Sequence, residues 1–138
     1  MRIPKESVVL VLAVACSGSS PTGGGNNPPP GGQVVRVSMS DYRFTADTLR
    51  ISVGTTVRWS NDGTLDHTST SDAANRWDSG TLGPPQAPAT CPYPPCSAVP
   101  ATFEFTFTAP GTYGYHCAFH GVPGPNYQGM IGAVVVTP

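Results

Sequence analysis

A chain of 138 residues has room for one compact domain and is too short for two of ordinary size. Charged residues make up 11% and the formal net charge is -1, which excludes both a basic field for nucleic acid and an acidic tail. Glycine and proline, 16 of each, favour turns and short strands over helices.

In chain order, "MRIPKESVVLVLAVAC" places Arg2 and Lys5 ahead of an apolar run from Val8 to Ala15. That run is far shorter than the roughly 20 residues that span a bilayer, but it fits the apolar stretch of an export signal. Residues 1–15 are therefore read as a cleaved signal peptide. The segment "LAVAC" followed by "SGSS" resembles the lipobox of bacterial lipoproteins, with Ala13 where leucine is commoner. The resemblance implies a lipid anchor on Cys16 and a place outside the cytoplasm, in the periplasm or at the cell surface. Residues 16–32 combine this lipidation site with "SGSSPTGGGNNPPPGG", a flexible Gly/Pro linker that has no side chain able to build a core. Without residues 1–15, five arginines face seven acids, so the mature charge is about -2.

From Gln33 onward apolar residues alternate: Val35, Val37 and Met39, then Leu49, Ile51 and Val53, then Val57 and Trp59. Period two predicts strands. In "ATFEFTFTAPGTYGYHC", Phe103, Phe105 and Phe107 face inward while Thr102, Glu104, Thr106 and Thr108 face outward. After the "APG" turn, Tyr113, Tyr115 and Cys117 share a parity, which puts Cys117 in the buried layer and turns His116 toward solvent. A short apolar strand, "GAVVVTP", closes the chain, and "SDAANRW" is long enough for one helical turn at most. Seven or eight short strands between Gly/Pro turns predict an all-β domain over residues 33–138, an antiparallel sandwich or barrel.

Taken singly, the candidate ligands say little. A histidine in a polar loop such as "NDGTLDHTST" is usually a surface residue, a strand cysteine is usually a small buried hydrophobe, and a methionine beside glycines usually fills a gap. Their joint arrangement says more. His67 follows the strand ending in "VRWSN", while Cys117, His120 and Met130 bracket one loop between the last two strands. Two imidazoles, a thiolate and a weak axial thioether make up the ligand set of a blue-copper electron-transfer site. Soft thiolate and thioether suit Cu(I) and imidazole suits Cu(II), so one rigid cage serves both charge states with little rearrangement. The thiol must lose its proton to bind, and the metal itself drives that loss.

The segments "GTTVRWSNDG…DHT", "DSGTL", "FEFTFTAPGTYGYHCAFH" and "GMIGAVVV", in this order over residues 33–138, resemble the cupredoxins, the plastocyanin/azurin-like blue copper proteins. The resemblance implies a Greek-key β-sandwich or barrel holding one type 1 copper ion. His67, Cys117 and His120 would be the equatorial ligands and Met130 the axial one. Gln128 is the rival axial residue, although "GM-x-G-x-V-x-V" keeps Met130 in register. The His120-to-Met130 loop, with "GVPGPNYQ" intervening, is longer than the family's usual few residues, but doubling a loop costs only about 0.6 kcal/mol in closure entropy. Thr68 follows His67 where the family often has Asn, which leaves open the tie between the two ligand loops.

Between "DSGTL" and the phenylalanine strand lies an insertion, "GPPQAPATCPYPPCSAVP", in which Cys91 and Cys96 form a disulfide if the domain is exported. Such a six-residue loop is worth roughly 2 kcal/mol.

In the family the histidine of the Cys-x-x-His pair reaches solvent through an apolar patch, here supplied by Val122, Pro123, Pro125 and Tyr127. Near-neutral charge predicts association that depends weakly on salt. The reading is a monomeric, tethered carrier of single electrons between extracytoplasmic redox proteins, a donor and an acceptor that dock transiently. It is not an enzyme, because multicopper oxidases and nitrite reductases need further histidine clusters and the chain has three histidines. The alternative is copper storage or delivery through the same ligands without redox turnover. A copper-free recognition module would be expected to lack the ligands.

Overall fold

The computed structural model describes residues 32–90, 95–126 and 128–138. The signal peptide, Cys16, the linker up to residue 31, Cys91 and Tyr127 lie outside the described residues. Eight strands follow one another as β1 (Val34–Ser40), β2 (Arg43–Thr45), β3 (Thr48–Ser52), β4 (Thr56–Asn61), β5 (Thr70–Ser71), β6 (Thr102–Thr106), β7 (Gly111–Val122) and β8 (Gln128–Thr137). Among the described residues there is no helix, and 72–76 form bends and a turn, with Asn75 at φ 61°.

Two four-stranded sheets result, ordered β2-β1-β4-β6 and β3-β8-β7-β5. They are mixed rather than antiparallel, since β1 runs parallel to β4 and β3 parallel to β8. This corrects the antiparallel expectation. Alternation reports which face of a strand is buried and carries no information on the direction of its neighbour. The chain leaves the first sheet after β2, contributes β3 to the second and returns as β4, so β1 and β4 lie side by side in the same direction.

Burial follows the parity read from the sequence. Val37, Met39, Ile51, Val57, Trp59, Tyr115 and Cys117 are each 0% exposed, and they come from both sheets. Trp59 lies at the centre, stacked on Trp77 with ring centroids 5.7 Å apart and meeting Tyr115 edge-on at 5.5 Å. Phe107 is buried while Phe103 and Phe105 are half-buried, because β6 is an edge strand. Thr102, Glu104, Thr106 and Thr108 all face solvent.

The pairing of β7 with β8 is uneven. His116 pairs with Ile131 and Gly121 with Gly129, so β7 advances five residues while β8 advances two. The four residues from Cys117 to His120 thus stand opposite the single Met130, three more than a regular ladder would hold, and bulge out of it. Bulges of this kind bend a strand and re-aim its side chains. Cys117 and His120 therefore stand on a strand rather than at the ends of a loop, and what separates β7 from β8 is only residues 123–127. Gly129 makes the tight return possible: its φ is +77°, and a Cβ there would lie 2.2 Å from the carbonyl oxygen of His120.

Candidate metal centre

His67 enters the site from the connection between β4 and β5. Its backbone is pinned by reciprocal bonds to Leu82, N–H to O at 3.0 Å and the return at 2.8 Å, and its side chain is 0% exposed. Asn61, buried at the end of β4, fixes the approach. Its Nδ2 donates to the carbonyls of Leu65 (2.8 Å) and Leu82 (2.7 Å), and its Oδ1 accepts the Gly63 N–H at 3.0 Å. A buried amide with three partners is a rigid strut.

Cys117 and His120 arrive on the β7 bulge. The sulfur of Cys117, a free and fully buried cysteine, lies 3.7 Å from His67 Nδ1 and 3.5 Å from His120 Nδ1. One ligand atom from each of the three residues falls within 4.8 Å of the others, and this is the only such cluster among the described residues. The two imidazoles meet edge-on, centroids 5.0 Å apart. A metal about 2.0–2.3 Å from each donor in trigonal geometry sets sulfur and nitrogen roughly 3.6 Å apart, so both sulfur–nitrogen spacings suit a first-row ion.

Thr68 supplies the tie that the sequence left open. Its N–H donates to Cys117 Sγ at 3.4 Å, and its Oγ1 accepts the Ala118 N–H at 2.8 Å. The residue after one histidine thus binds both the thiol and the strand that carries it. Behind Thr68, Ser69 N–H donates to Ser79 Oγ at 2.8 Å and Trp77 Nε1 donates to Ser69 Oγ at 3.1 Å, which is the structural use of "DSGTL".

Met130 is 1% exposed on β8, facing the bulge, whereas Gln128 is exposed and pairs with Val122. His116 departs from expectation. It points away from Cys117 as parity required, but it is not exposed: its side chain is 14% accessible and its Nδ1 lies 2.7 Å from Asp72 Oδ1. The reason is β5, which pairs Thr70 with His116 and brings Asp72 over the imidazole.

His120 lies at the rim. Its half-buried ring meets Tyr42 edge-on at 5.1 Å and Phe119 at 6.2 Å, and it lines a shallow depression with Leu65, Asp66 and Phe119. Tyr42 and Phe119, both beside the His120 ring, are 64% and 54% exposed, and Val122, two residues along β7, is 54% exposed. Of the patch residues read from the sequence, Val122 and Pro125 are exposed and Pro123 is half-buried. Tyr42 was not legible as part of it. It belongs to the two-residue turn between β1 and β2, at φ 66°, where a bulky side chain is rare.

Burial holds the His67 imidazole below the ordinary 6.5, with the Asp41 carboxylate opposing, so the metal-free ring is neutral and has a lone pair to give. In the insertion, Cys96 is disulfide-bonded. The segment is closed at its base by reciprocal Gln86 and Val99 backbone bonds of 3.1 and 2.8 Å.

A two-sheet β-sandwich that brings two imidazoles and a buried thiol together defines a class, the copper-binding β-sandwich proteins. This chain belongs to the family of copper binding proteins described as plastocyanin/azurin, which it matches over residues 33–137. Copper is accordingly the metal this donor set serves. Among solved structures, a reduced-state amicyanin mutant is 28% identical, with a TM-score of 0.50 over 75% of this chain and 82% of that one. A novel purple cupredoxin from Nitrosopumilus maritimus shares the fold at 23% identity and a TM-score of 0.54, over 74% of this chain and 98% of its own. A copper-containing nitrite reductase from Thermus scotoductus shares it at 24% identity and a TM-score of 0.52, over 85% of this chain but only 24% of the reductase. No individually curated protein matches the sequence significantly.

Proposed function

We propose that the protein is a blue-copper carrier of single electrons, with His67, Cys117 and His120 as equatorial ligands and Met130 as the axial one. The observation that carries this reading is the buried thiol of Cys117 with an imidazole Nδ1 at 3.5 Å and another at 3.7 Å. Bound copper would supply a one-electron Cu(II)/Cu(I) couple.

The chain's own residues do the rest. Cys117, fully buried, keeps its sulfur from water and oxidants, and the Thr68 N–H is positioned to stabilise negative charge on it. Met130 is favoured over Gln128 by its burial on the strand that faces the bulge. His120 connects the buried sulfur to the surface. Around it, the exposed rings of Tyr42 and Phe119 offer a small apolar face suited to brief contact with donor and acceptor proteins. A net charge near zero leaves such encounters weakly dependent on salt. The carrier works as a monomer outside the cytoplasm, held to a membrane by lipid on Cys16. It acts as a carrier rather than an enzyme.

Adding Cu(II) to the purified protein tests the site. An intense thiolate-to-copper absorption band with narrow EPR hyperfine splitting is expected, and Cys117→Ala should abolish both. Replacing Met130 and Gln128 separately identifies the axial residue, because only Met130→Leu should move the reduction potential. Fast electron self-exchange with slow copper loss is the carrier's signature. Rapid copper exchange with slow self-exchange would instead mark storage or delivery.

A further inference from the structure

One buried polar atom at the site has no hydrogen-bond partner among the described residues. His67 is 0% exposed, and the atom is its Nε2, on the ring edge away from Cys117. The nearest charged group is Asp41, whose Oδ1 lies 3.6 Å away. That is less than an ångström beyond a charge-assisted hydrogen bond of about 2.7–2.9 Å.

We propose that Asp41 is the positioning carboxylate of the copper site, accepting the Nε2–H of His67 and so fixing the tautomer that turns Nδ1 toward Cys117. The inference rests on the assignment of His67 as a ligand. A ligating imidazole regularly gives its other N–H to a carboxylate or carbonyl, and that partner sets its orientation and basicity.

Asp41 is held in place to do this. Its Oδ1 accepts the backbone N–H groups of Thr64 (2.8 Å) and Leu65 (3.2 Å), and its Oδ2 accepts the Thr64 hydroxyl at 2.6 Å. Those bonds, the hydroxyl foremost, keep its carboxyl below the ordinary carboxylate value, so it is anionic at neutral pH. The space it occupies is reserved as well. A Cβ on Gly63 would lie 2.3 Å from Asp41 Oδ1, so only glycine leaves room for the carboxylate. The turn between β1 and β2 thereby reaches both imidazoles, Asp41 toward His67 and Tyr42 against the His120 ring at 5.1 Å. An anion beside His67 favours the higher charge state of the metal, so its removal should weaken Cu(II) binding more than Cu(I) binding.

The test compares wild type, Asp41→Asn, Asp41→Ala and Thr64→Val by chelator competition for each copper oxidation state and by voltammetry. Asp41→Ala should weaken Cu(II) binding by about 10–100-fold. Each tenfold excess of that loss over the Cu(I) loss raises the reduction potential by about 59 mV. Asp41→Asn keeps an oxygen for the Thr64 and Leu65 N–H groups and so preserves the loop while removing the charge; it should shift the potential in the same direction by less. Thr64→Val removes a loop bond but leaves the carboxylate facing His67, and it should stay near wild type. Unmoved potentials in both Asp41 variants, or a Thr64→Val protein that reproduces Asp41→Ala, would show that Asp41 merely anchors the loop. A wild type that remains colourless with Cu(II) would sink the ligand assignment together with this inference.

Discussion

The two imidazoles of the site lie in opposite kinds of surroundings. His67 is fully buried, bridged to Leu82, approached through the Asn61 strut and followed by Thr68, which bonds to the thiol and its strand. His120 stands on the β7 bulge at the rim, its ring against the exposed Tyr42 and Phe119. One ring is held by the fold and the other is offered to the surface. An electron carrier needs both, since a fixed cage keeps rearrangement small and an accessible ring gives electrons a way in and out.

Truncating each ring in turn gives the largest expected effect. His67→Gly and His120→Gly should both lose the blue-copper spectrum. Added imidazole should restore it in His120→Gly, where the vacancy opens to solvent, and fail in His67→Gly, where the vacancy is sealed. Equal rescue of the two would erase the distinction.

Next in size is the strut. Asn61→Ala takes the side-chain donor from the half-buried Leu65 carbonyl, one of two donors from the Leu82 carbonyl, which keeps the His67 N–H, and the acceptor from the Gly63 N–H, and should destabilise the metal-free protein by about 3 kcal/mol in urea unfolding. Thr68→Val, which keeps the shape but removes the acceptor for the Ala118 N–H, should lower stability by about 1–2 kcal/mol.

Acid should weaken the metal-free protein through the inner ring first. The folded-state pKa of His67 lies below 6.5, so the unfolded chain takes up that proton earlier. Stability should therefore fall as pH drops below about 6.5 and level off once pH is under the folded value. The carboxyl of Asp41 is also lowered, from 3.8, and its contribution is present above that value and lost as pH falls through the folded one. Urea midpoints at stepped pH, with His67→Gln removing the first phase, check this.

The smallest effect on stability belongs to the rim. Phe119→Ala, at a side chain 54% exposed, should change stability by less than about 0.5 kcal/mol. It should nevertheless slow electron self-exchange while leaving the potential unmoved. A shifted potential would mean that the rim shapes the cage as well as the contact.

Much of this was legible in the chain because it depends on neighbours in sequence. Alternation placed Cys117 with Tyr113 and Tyr115 inside and the threonines of β6 outside, and the order of His67, Cys117, His120 and Met130 pointed to copper before any geometry was known. Parity also turned His116 away from the sulfur, but nothing local could show that Asp72 would cover it. Asn61 lay hidden in "SNDG", which reads as a turn, and Asp41 and Tyr42 in "SDYRF" look like an ordinary polar turn between strands.

By itself, then, the sequence determined which faces are buried and which side chains can hold the metal. Those are properties of residue type and of a two-residue repeat. Only the tertiary structure decided that β1 and β4 run parallel, that β7 spends three extra residues opposite Met130, and that a carboxylate from the first hairpin comes to the back of His67. Each of these results from segments far apart in the chain packing on one core, and direction, register and approach across that core leave no mark in any single stretch of residues.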